Sequence, residues 1–393
     1  MSRLLAATKS GIERRGTSIG LQAYSWSAMW RQQLPRTFRP YIFLKALAFR
    51  LLVVDRESTL IRRAIVRQSQ SVFYLVYDNA LSPPTYGEIL QVAMLARFMA
   101  LSGLRVEFLL VDGTDRRIDW SFLVPEEQEA FVLEQQALVD ALLPDGAILK
   151  CLRSLEFEAS NLANPSNHVI LARMVRKQAA IYPCVPRILD RVSRNFGPAC
   201  PEGFLLDKGE FRSDHPDWLD ERPYIAWNVR AGIWDKERNP SSESIIQDFR
   251  DLRLLFPAHR IAIFSTLDGI ESTLRYLIDV GELSQSDLDS QRVFGQPEAG
   301  FLAGIPWVLR SDFYFQRMGG GLALIAAYSR IPYLTLIEWT SYWRGFRGTR
   351  IVSWAKSDQI TLVLPGLAKT IRIQRARTHR GFQIYQKERP TPQ

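Results

Sequence analysis

Three consecutive glycines, Gly319, Gly320 and Gly321, follow a short predicted strand and open a predicted helix. Without a Cβ atom, glycine lets a phosphate group approach the backbone N–H groups at the start of a helix, where the helix dipole is positive. Arg317, just before the glycines, could add a charge-assisted hydrogen bond. The segment therefore predicts a phosphate-binding turn. The alternative is a tight turn that packs a helix closely on a sheet, because a glycine run alone is a weak signal.

A second group of candidates follows the first predicted strand of the C-terminal half. Arg230 comes directly after that strand, and a guanidinium group can bind a diphosphate through two parallel hydrogen bonds. Lys236, Arg238 and Asn239 follow on the same loop; a solvated polar turn is their ordinary alternative. Glu338, predicted to lie just past the end of another strand, could bind a ribose hydroxyl or be a surface acid.

Two carboxylates in the N-terminal half are candidates for a general base. Asp78 ends the first predicted strand, and Glu88 lies at the head of the first long helix. In the mouth of a closed cleft, loss of hydration makes a carboxylate a better base near neutral pH. For Glu88 the alternative is a capping box, since Thr85 stands three residues earlier.

The elements that must position these residues alternate between strand and helix. In the N-terminal half, buried apolar runs predict strands, and longer periodic segments predict helices. The predicted strands are residues 71–77, 105–111 and 147–152, and the predicted helices are residues 85–101, 125–143 and 167–181. The first strand, helix and second strand form a βαβ unit, whose loops at the carboxyl ends of the strands are the usual ligand sites.

The C-terminal half repeats this alternation. Predicted strands are residues 224–229, 260–265, 312–315 and 333–337, and predicted helices are residues 242–255, 270–280, 298–309 and 320–329. The fold class is therefore α/β, with two Rossmann-like, doubly wound domains. We assign residues 69–195 to the first domain, residues 196–223 to a linker rich in proline and glycine, residues 224–365 to the second domain and residues 366–393 to a basic tail.

Residues 1–68 form a basic arm. They hold 13 Lys and Arg against three acids, a net +10 within a total of +9, so the rest of the chain is nearly neutral at −1. Aromatic residues are interleaved with the cations, and residues 41–54 read as an interfacial helix on an anionic membrane. The alternative is a helix packed on the first domain with its charged face in water. The neutral body argues against a nucleic-acid partner.

Other classes of site have no signature in the sequence. Cys151, Cys184 and Cys200 show no C-x-x-C spacing, and the four histidines show no ligand spacing, so we expect neither a disulfide nor a metal site. Walker A, H-E-x-x-H and G-x-S-x-G motifs are absent from the sequence. The N-terminus lacks the layout of a signal peptide, which predicts a cytoplasmic protein, bound at most peripherally to the inner face of the cell membrane.

Residues 311–339 resemble the donor-binding element of GT-B glycosyltransferases, in particular the heptosyltransferase and fucosyltransferase-like branches. The shared order is strand, glycine turn, Ala-Ala helix, proline and apolar strand. Arg230 resembles the phosphate-contacting arginine of the fucosyltransferase-like enzymes, and Glu88 resembles the general base of the heptosyltransferase-like enzymes. Where the heptosyltransferase form places Ser or Thr and His around the glycine, this chain has three glycines and then Leu322, so the sugar stays open.

The resemblance implies a metal-independent glycosyltransferase whose co-substrate is a nucleotide sugar and which needs no separate cofactor. Its second domain would bind the donor, and its first would bind a glycan or lipid-linked acceptor near Asn79, Tyr86 and Gly87. Two alternatives remain at this point. A polysaccharide pyruvyl transferase would share the two-domain layout with a different donor, and a non-catalytic binding protein would keep the fold and dock on membranes through the arm.

Overall fold

The computed structural model describes residues 55–79, 85–112, 123–153, 158–164, 166–172, 201–211, 222–231, 239–296, 300–317, 320–329, 331, 333–339, 348–351, 370–374 and 383–387. The chain divides into two compact units, Met1–Phe204 and Leu205–Gln393. Each unit contains a largely parallel sheet with helices. The predicted α/β class with two Rossmann-like units is therefore confirmed.

The first unit is built around a parallel sheet of four strands. Its elements are α1 (Asp55–Val66), β1 (Val72–Asp78), α2 (Tyr86–Leu101), β2 (Arg105–Val111), α3 (Pro125–Leu142), β3 (Ile148–Leu152), α4 (Ala159–Ala163) and β4 (His168–Ala172). The strand order is β3-β2-β1-β4. The direction of winding reverses between β1 and β4, so the carboxyl ends of these two strands form a topological switch point.

The central elements of this unit are apolar enough to be buried on every side. Phe73 and Leu75 of β1 are fully buried, and α2 is buried from Ile89 to Met99. Gly103 ends α2 in the left-handed region, with φ of 84°, a conformation that glycine adopts without strain. The apolar run of β1 therefore gives a buried strand, as the sequence predicted.

One predicted helix of the first unit is wrong in the part that the structure describes, and residues 173–181 of it lie outside the described residues. Residues 167–181 have a helical pattern, but the structure forms β4 at His168–Ala172. This strand pairs in parallel with β1, from Phe73 opposite His168 to Tyr77 opposite Ala172. This pairing satisfies the backbone N–H and C=O groups on the second edge of β1. The hydrophobic period of a short segment carries no information about such a tertiary contact.

The second unit has a sheet of six strands. Its elements are β5 (Tyr224–Asn228), α5 (Ser242–Leu255), β6 (Arg260–Phe264), α6 (Leu267–Asp279), α7 (Gln285–Asp289), β7 (Val293–Gly295), α8 (Phe301–Arg310), β8 (Phe313–Arg317), α9 (Gly321–Ala327), β9 (Tyr333–Trp339) and β10 (Gly348–Ile351). The strand order is β10-β9-β8-β5-β6-β7. Only β10 is antiparallel to its neighbour. The switch point lies between β5 and β8.

Helices cover both faces of this second sheet. On one face Trp227 stacks on Phe249 of α5, with ring centroids 6.0 Å apart. On the other, Tyr224 packs edge-on against Trp307 of α8 and donates its hydroxyl to the Trp307 carbonyl. Gly304 lets α8 approach Leu322 of α9, since a Cβ there would lie 3.2 Å from the leucine. The strands that form the switch point are therefore packed against helices on both faces.

The structure describes part of the predicted arm and part of the predicted tail. In α1, which lies in the predicted arm, Ile61 and Ala64 are buried, while Arg62, Arg63 and Arg67 are exposed. The arm segment predicted as interfacial, residues 41–54, lies outside the described residues. The predicted tail contains an antiparallel hairpin, β11 (Thr370–Gln374) and β12 (Gln383–Lys387). Among the described residues, no helix is long and apolar enough to cross a membrane.

Each unit fixes its own end of the chain that joins them. In the first unit, Arg97 of α2 donates from Nε to the carbonyls of Gly203, at 2.9 Å, and Phe204, at 3.1 Å. In the second unit, the backbone N–H of Leu206 donates to the carbonyl of Tyr328 at 2.8 Å. The boundary at Phe204 therefore lies inside the segment 196–223, which the sequence assigned to a linker.

Candidate functional site

The carboxyl edge of the second sheet brings two predicted segments together. Strands β5 and β8 are parallel neighbours, and Asn228 pairs with Gln316. The chain leaves β5 toward Arg230 and leaves β8 toward Gly320, so both predicted donor-binding segments start from adjacent strands at the switch point. In open α/β sheets this is the crevice where ligands bind.

Arg230 lies two residues past the end of β5 and is half-buried. The preceding residue, Val229, donates its N–H to the carbonyl of Phe264 at 2.8 Å, which extends the pairing of β5 with β6. The sheet therefore fixes the backbone up to Val229, the residue before Arg230. Of the weaker candidates, Lys236 and Arg238 lie outside the described residues. Asn239 is half-buried, two residues before Ser241, the N-cap of α5.

The glycines at the start of α9 are required by space rather than by backbone angle. Gly320 has φ of 177°, an extended conformation that any residue adopts. A Cβ on Gly320 would lie 2.7 Å from Gln316 Nε2, and one on Gly321 would lie 2.4 Å from the ring of Phe301. The close-packing alternative thus describes part of what these glycines do. Helix α9 has only seven residues, so its dipole adds little. Gly319 lies outside the described residues.

A buried hydrogen-bond chain lies beneath this edge, and the sequence analysis missed it. The Tyr314 hydroxyl donates to Gln316 Oε1 at 2.5 Å and also makes a side-chain hydrogen bond with Asn228. Burial raises the pKa of Tyr314 well above its usual value, while the bond with Asn228 lowers it. The available signal was the presence of two amide residues, Asn228 and Gln316, near the carboxyl ends of two otherwise apolar strands.

Arg317 has a partner that the sequence did not suggest. Its guanidinium forms a bidentate ion pair with Asp248 of α5, and Arg317 Nε lies 2.8 Å from Asp248 Oδ2. Alternation along β8 puts Arg317 on the face of Phe315, opposite the face of Gln316, whose amide approaches Gly320. An anion that reached Arg317 would share the guanidinium with Asp248.

Glu338 lies inside a strand, contrary to its predicted position past a strand end. The structure continues β9 to Trp339, because β10 pairs with it in antiparallel and places Thr349 opposite Glu338. Its side chain is outside the described set.

In the first unit, Asp78 and Asn79 lie at the carboxyl end of β1, at the switch point. Asp78 is 8% exposed, and Asn79 is fully buried. The backbone N–H of Asn79 donates to the Val111 carbonyl, yet both polar atoms of its side-chain amide are buried without a hydrogen-bond partner. A buried amide without partners is uncommon and calls for a bound group or water.

The head of α2 carries the remaining candidates for the acceptor side. Glu88 lies in the first turn and is half-buried. Thr85 is the N-cap residue, but its side chain makes no capping hydrogen bond, so the capping box expected as the alternative for Glu88 is incomplete. The ring of Tyr86 packs against Phe131 of α3, with centroids 4.5 Å apart. Gly87 lies between Tyr86 and Glu88 on the same turn of α2.

Metal-ligating groups are scattered in the described part of the chain. Within it, no group of three or more His, Cys, Asp or Glu side chains lies close enough to hold a metal ion. Cys151 is an exposed residue with a free thiol, and partial loss of hydration at its sulfur, with the charge of Asp140, raises its pKa.

Comparisons with known proteins give similarity in structure only. No protein-family model matches the chain, and no curated protein is similar to it in sequence. Solved structures that resemble it include Escherichia coli heptosyltransferase WaaC with ADP-2-deoxy-2-fluoro heptose, at 15% identity over 67% of this chain and 88% of that one, with a TM-score of 0.35. The glycosyltransferase SnogD from Streptomyces nogalater matches at 14% identity over 76% and 85%, with a TM-score of 0.29.

A third solved structure is the ADP-heptose lps heptosyltransferase II of E. coli. It matches at 9% identity over 68% of this chain and 84% of that one, with a TM-score of 0.32.

Proposed function

We propose that this chain is a GT-B type glycosyltransferase that moves a sugar from a nucleotide-sugar donor to a cell-surface glycan or glycolipid acceptor without a metal ion. The observation that supports this most is the convergence of Arg230 and Gly320 on adjacent parallel strands at one switch point. The nucleotide sugar is the co-substrate, and no separate cofactor takes part.

The second unit binds the diphosphate of the donor. Arg230 contacts it with two N–H donors, and the loop Gly319 to Gly321 brings backbone N–H groups close to its oxygens. Lys236, Arg238 and Asn239 complete the loop that follows β5. Arg317 contributes at longer range, since Asp248 already holds its guanidinium.

The first unit binds the acceptor near Asn79, Tyr86 and Gly87. Glu88, or Asp78 in its place, removes the proton from the acceptor hydroxyl as that oxygen attacks the anomeric carbon. The bond between the anomeric carbon and the diphosphate oxygen breaks at the same centre, and the electron pair leaves with the diphosphate. Arg230 and the backbone donors stabilise the charge that develops there.

The arm supplies a further contact, to an anionic membrane surface that carries a lipid-linked acceptor. In α1 Ile61 and Ala64 are buried, and Arg62, Arg63 and Arg67 are exposed. Cations held this way near an anionic leaflet contribute about 1 kcal/mol each.

Calorimetric titration with ADP, GDP, UDP and CDP in the presence of EDTA tests the proposed function. A glycosyltransferase of this kind is expected to bind one of the four in the micromolar range without a divalent cation. Binding of phosphoenolpyruvate instead would favour the pyruvyl transferase. Binding of none of these compounds would leave a non-catalytic protein and would overturn the proposal.

A further inference from the structure

The carboxyl end of β1 in the first unit carries a buried amide, that of Asn79, at the switch point of the sheet. We propose that Asn79 binds a pair of hydroxyl groups on an uncharged sugar, and that this sugar is the part of the acceptor that enters the first unit. This inference rests on the proposed function and deepens it, because it states the chemical class of the acceptor group.

Asn79 lies on the face of the sheet that α2 covers. Its backbone N–H donates to the Val111 carbonyl at 2.9 Å, so the geometry of β1 extends to Asn79. Along β1, Tyr74 and Val76 pack with Leu162 of α4 on one face of the sheet. Alternation puts the Asn79 side chain on the other face, and α2, which belongs to no part of the α4 cluster, packs on β1 and β2. The amide is therefore on the side of the sheet where α2 begins.

The burial of this amide has no explanation in the packing of the first unit. Asn79 is fully buried, and neither Oδ1 nor Nδ2 has a hydrogen-bond partner. Folded proteins seldom leave both ends of a buried amide unpaired, because each unpaired group destabilises the fold. A leucine of nearly the same size would fill the space without that cost. The position of Asn79 at a switch point, where open α/β sheets bind ligands, indicates that the partner of the amide is a ligand.

An amide with both ends unpaired selects a ligand that donates and also accepts hydrogen bonds. Oδ1 accepts, and Nδ2 donates through its two N–H groups. A hydroxyl group does both, and two hydroxyls on adjacent carbons of a sugar can pair with the two ends of one amide. An ionised phosphate or carboxylate only accepts, so it would leave Oδ1 unpaired, and an ammonium group only donates, so it would leave Nδ2 unpaired.

The charges at this edge of the sheet also disfavour an anion. Glu88, in the first turn of α2, already places a negative charge at the positive end of the helix. Asp112 follows β2, stays paired with β3 through its backbone N–H and alternates onto the same face as Asn79. At the described carboxyl ends of the four strands, the basic residue is Arg153, which is exposed beyond the edge strand β3. These surroundings suit an uncharged ligand better than a phosphate.

The test measures binding of simple sugars to the full chain by saturation-transfer difference NMR. The probes are the methyl glycosides of glucose, galactose, mannose and N-acetylglucosamine, each compared with a phosphate ester of the same sugar. At least one uncharged glycoside is expected to bind. Asn79→Leu keeps the size of the side chain and removes both polar ends, so it should raise Kd by at least about tenfold. It should also raise Tm by about 2 to 4 °C, because it removes a buried unpaired group.

Gln135→Leu is the matched control, since it makes the same chemical change away from the strand ends. Gln135 is also fully buried with neither amide atom hydrogen-bonded, but it lies inside α3, one turn beyond Phe131, whose ring packs against Tyr86. This variant should raise Tm in the same way and change the glycoside Kd by less than about twofold. Asn79→Ala removes the same amide as Asn79→Leu and serves if Asn79→Leu fails to fold.

The outcomes distinguish this inference from the proposed function. Glycoside binding that persists in Asn79→Leu, or that weakens equally in Gln135→Leu, would overturn the role of Asn79. Tighter binding of a sugar phosphate than of its parent glycoside, or no binding of any glycoside, would overturn the chemical class. A protein that binds a nucleoside diphosphate but no glycoside keeps the proposed function and loses this inference. A protein that binds a glycoside through Asn79 but no nucleoside diphosphate has the sugar site and loses the proposed function.

Discussion

Arg317 at the end of β8 and Asp248 in the middle of α5 form a bidentate ion pair, with side chains only 12% and 3% exposed. The sequence offers each residue as an isolated charge, 69 positions apart. The ion pair joins helix α5 to strand β8, which is the neighbour of β5 in the sheet. It therefore stabilises the switch point on the face of the sheet opposite Gly320.

We expect Asp248→Ala to lower the free energy of unfolding of the second unit by about 3 to 5 kcal/mol, because Arg317 would keep its buried charge without the carboxylate. Urea denaturation monitored by tryptophan fluorescence measures this. Glu282→Ala is the control, since Glu282 pairs with the exposed Arg250 and its loss should have little effect. Equal effects of the two variants would show that the buried pair is not a brace.

Arg230→Ala should weaken nucleoside diphosphate binding by roughly 2 to 4 kcal/mol, as expected when a charge-assisted contact to a buried phosphate is lost. Calorimetry gives the affinity, and thermal unfolding checks that the fold is intact. Arg250→Ala removes an exposed arginine of α5 and controls for net charge. An affinity that does not change in Arg230→Ala would remove Arg230 from the site.

Gly320→Val should lower nucleoside diphosphate affinity by at least about tenfold and leave most of the structure in place. The backbone is already extended, so the effect comes from the side chain, which blocks phosphate approach and displaces the Gln316 amide. Gly209→Val is a suitable control, because a Cβ there would meet nothing within 4 Å. Normal binding by Gly320→Val would mean that the glycine serves packing alone.

The raised pKa of Glu57 in α1 predicts that the free energy of unfolding depends on pH. Burial raises its pKa from 4.5 to about 7, against the opposing charge of Arg56. Between these values the folded protein keeps a proton that the unfolded chain has lost, so stability falls as the pH rises from 4.5 to 7. Glu57→Gln should therefore stabilise the protein by up to about 3 kcal/mol at pH 8 and by little at pH 4.5.

Thermal or urea unfolding at both pH values tests this, with the exposed Glu129→Gln as control. A Glu57→Gln effect of the same size at pH 4.5 and pH 8 would contradict the raised pKa.

The arm should give binding to anionic vesicles that weakens with salt. Sedimentation with anionic and neutral liposomes at two salt concentrations compares the full chain, a fragment that begins at Asp55, and the full chain with Arg62, Arg63 and Arg67 replaced by Gln. The fragment keeps α1, whose Ile61 is buried, so loss of binding would not reflect loss of that packing. If the full chain does not bind, a soluble acceptor replaces the lipid-linked one.

Strands that are buried on both faces were predictable from the sequence. The predicted strand at residues 71–77 differs from β1 by one residue at each end, because a continuous apolar run fits a central parallel strand. The strand β4 was not predictable, since His168–Ala172 also fits a helical pattern and only pairing with β1 decides. Hydrophobic periodicity shows which side chains are apolar, but it does not show which strand edge is still unpaired.

The candidate site shows the same division. Arg230 and Gly320 were identified from their places after predicted strands, and their adjacency follows from the strand order. Asp248 could not be identified, because its partner Arg317 is 69 positions away in sequence. Tyr314 was not identified, because an aromatic residue between two phenylalanines fits an ordinary apolar strand. Polar residues inside apolar segments are ambiguous until their partners are known.

The hydrogen bonds from Arg97 to the carbonyls of Gly203 and Phe204 determine where the two units can be separated. A fragment of the first unit that stopped at residue 195 would lack the carbonyls of Gly203 and Phe204 that a buried guanidinium uses, and the ring of Phe204 that packs edge-on against Phe98. Leu206, two positions after Phe204, already belongs to the second unit through its bond to Tyr328. Leu205 is therefore the place where one unit could be exchanged for that of another protein, by recombination or in the laboratory, without cutting into either core.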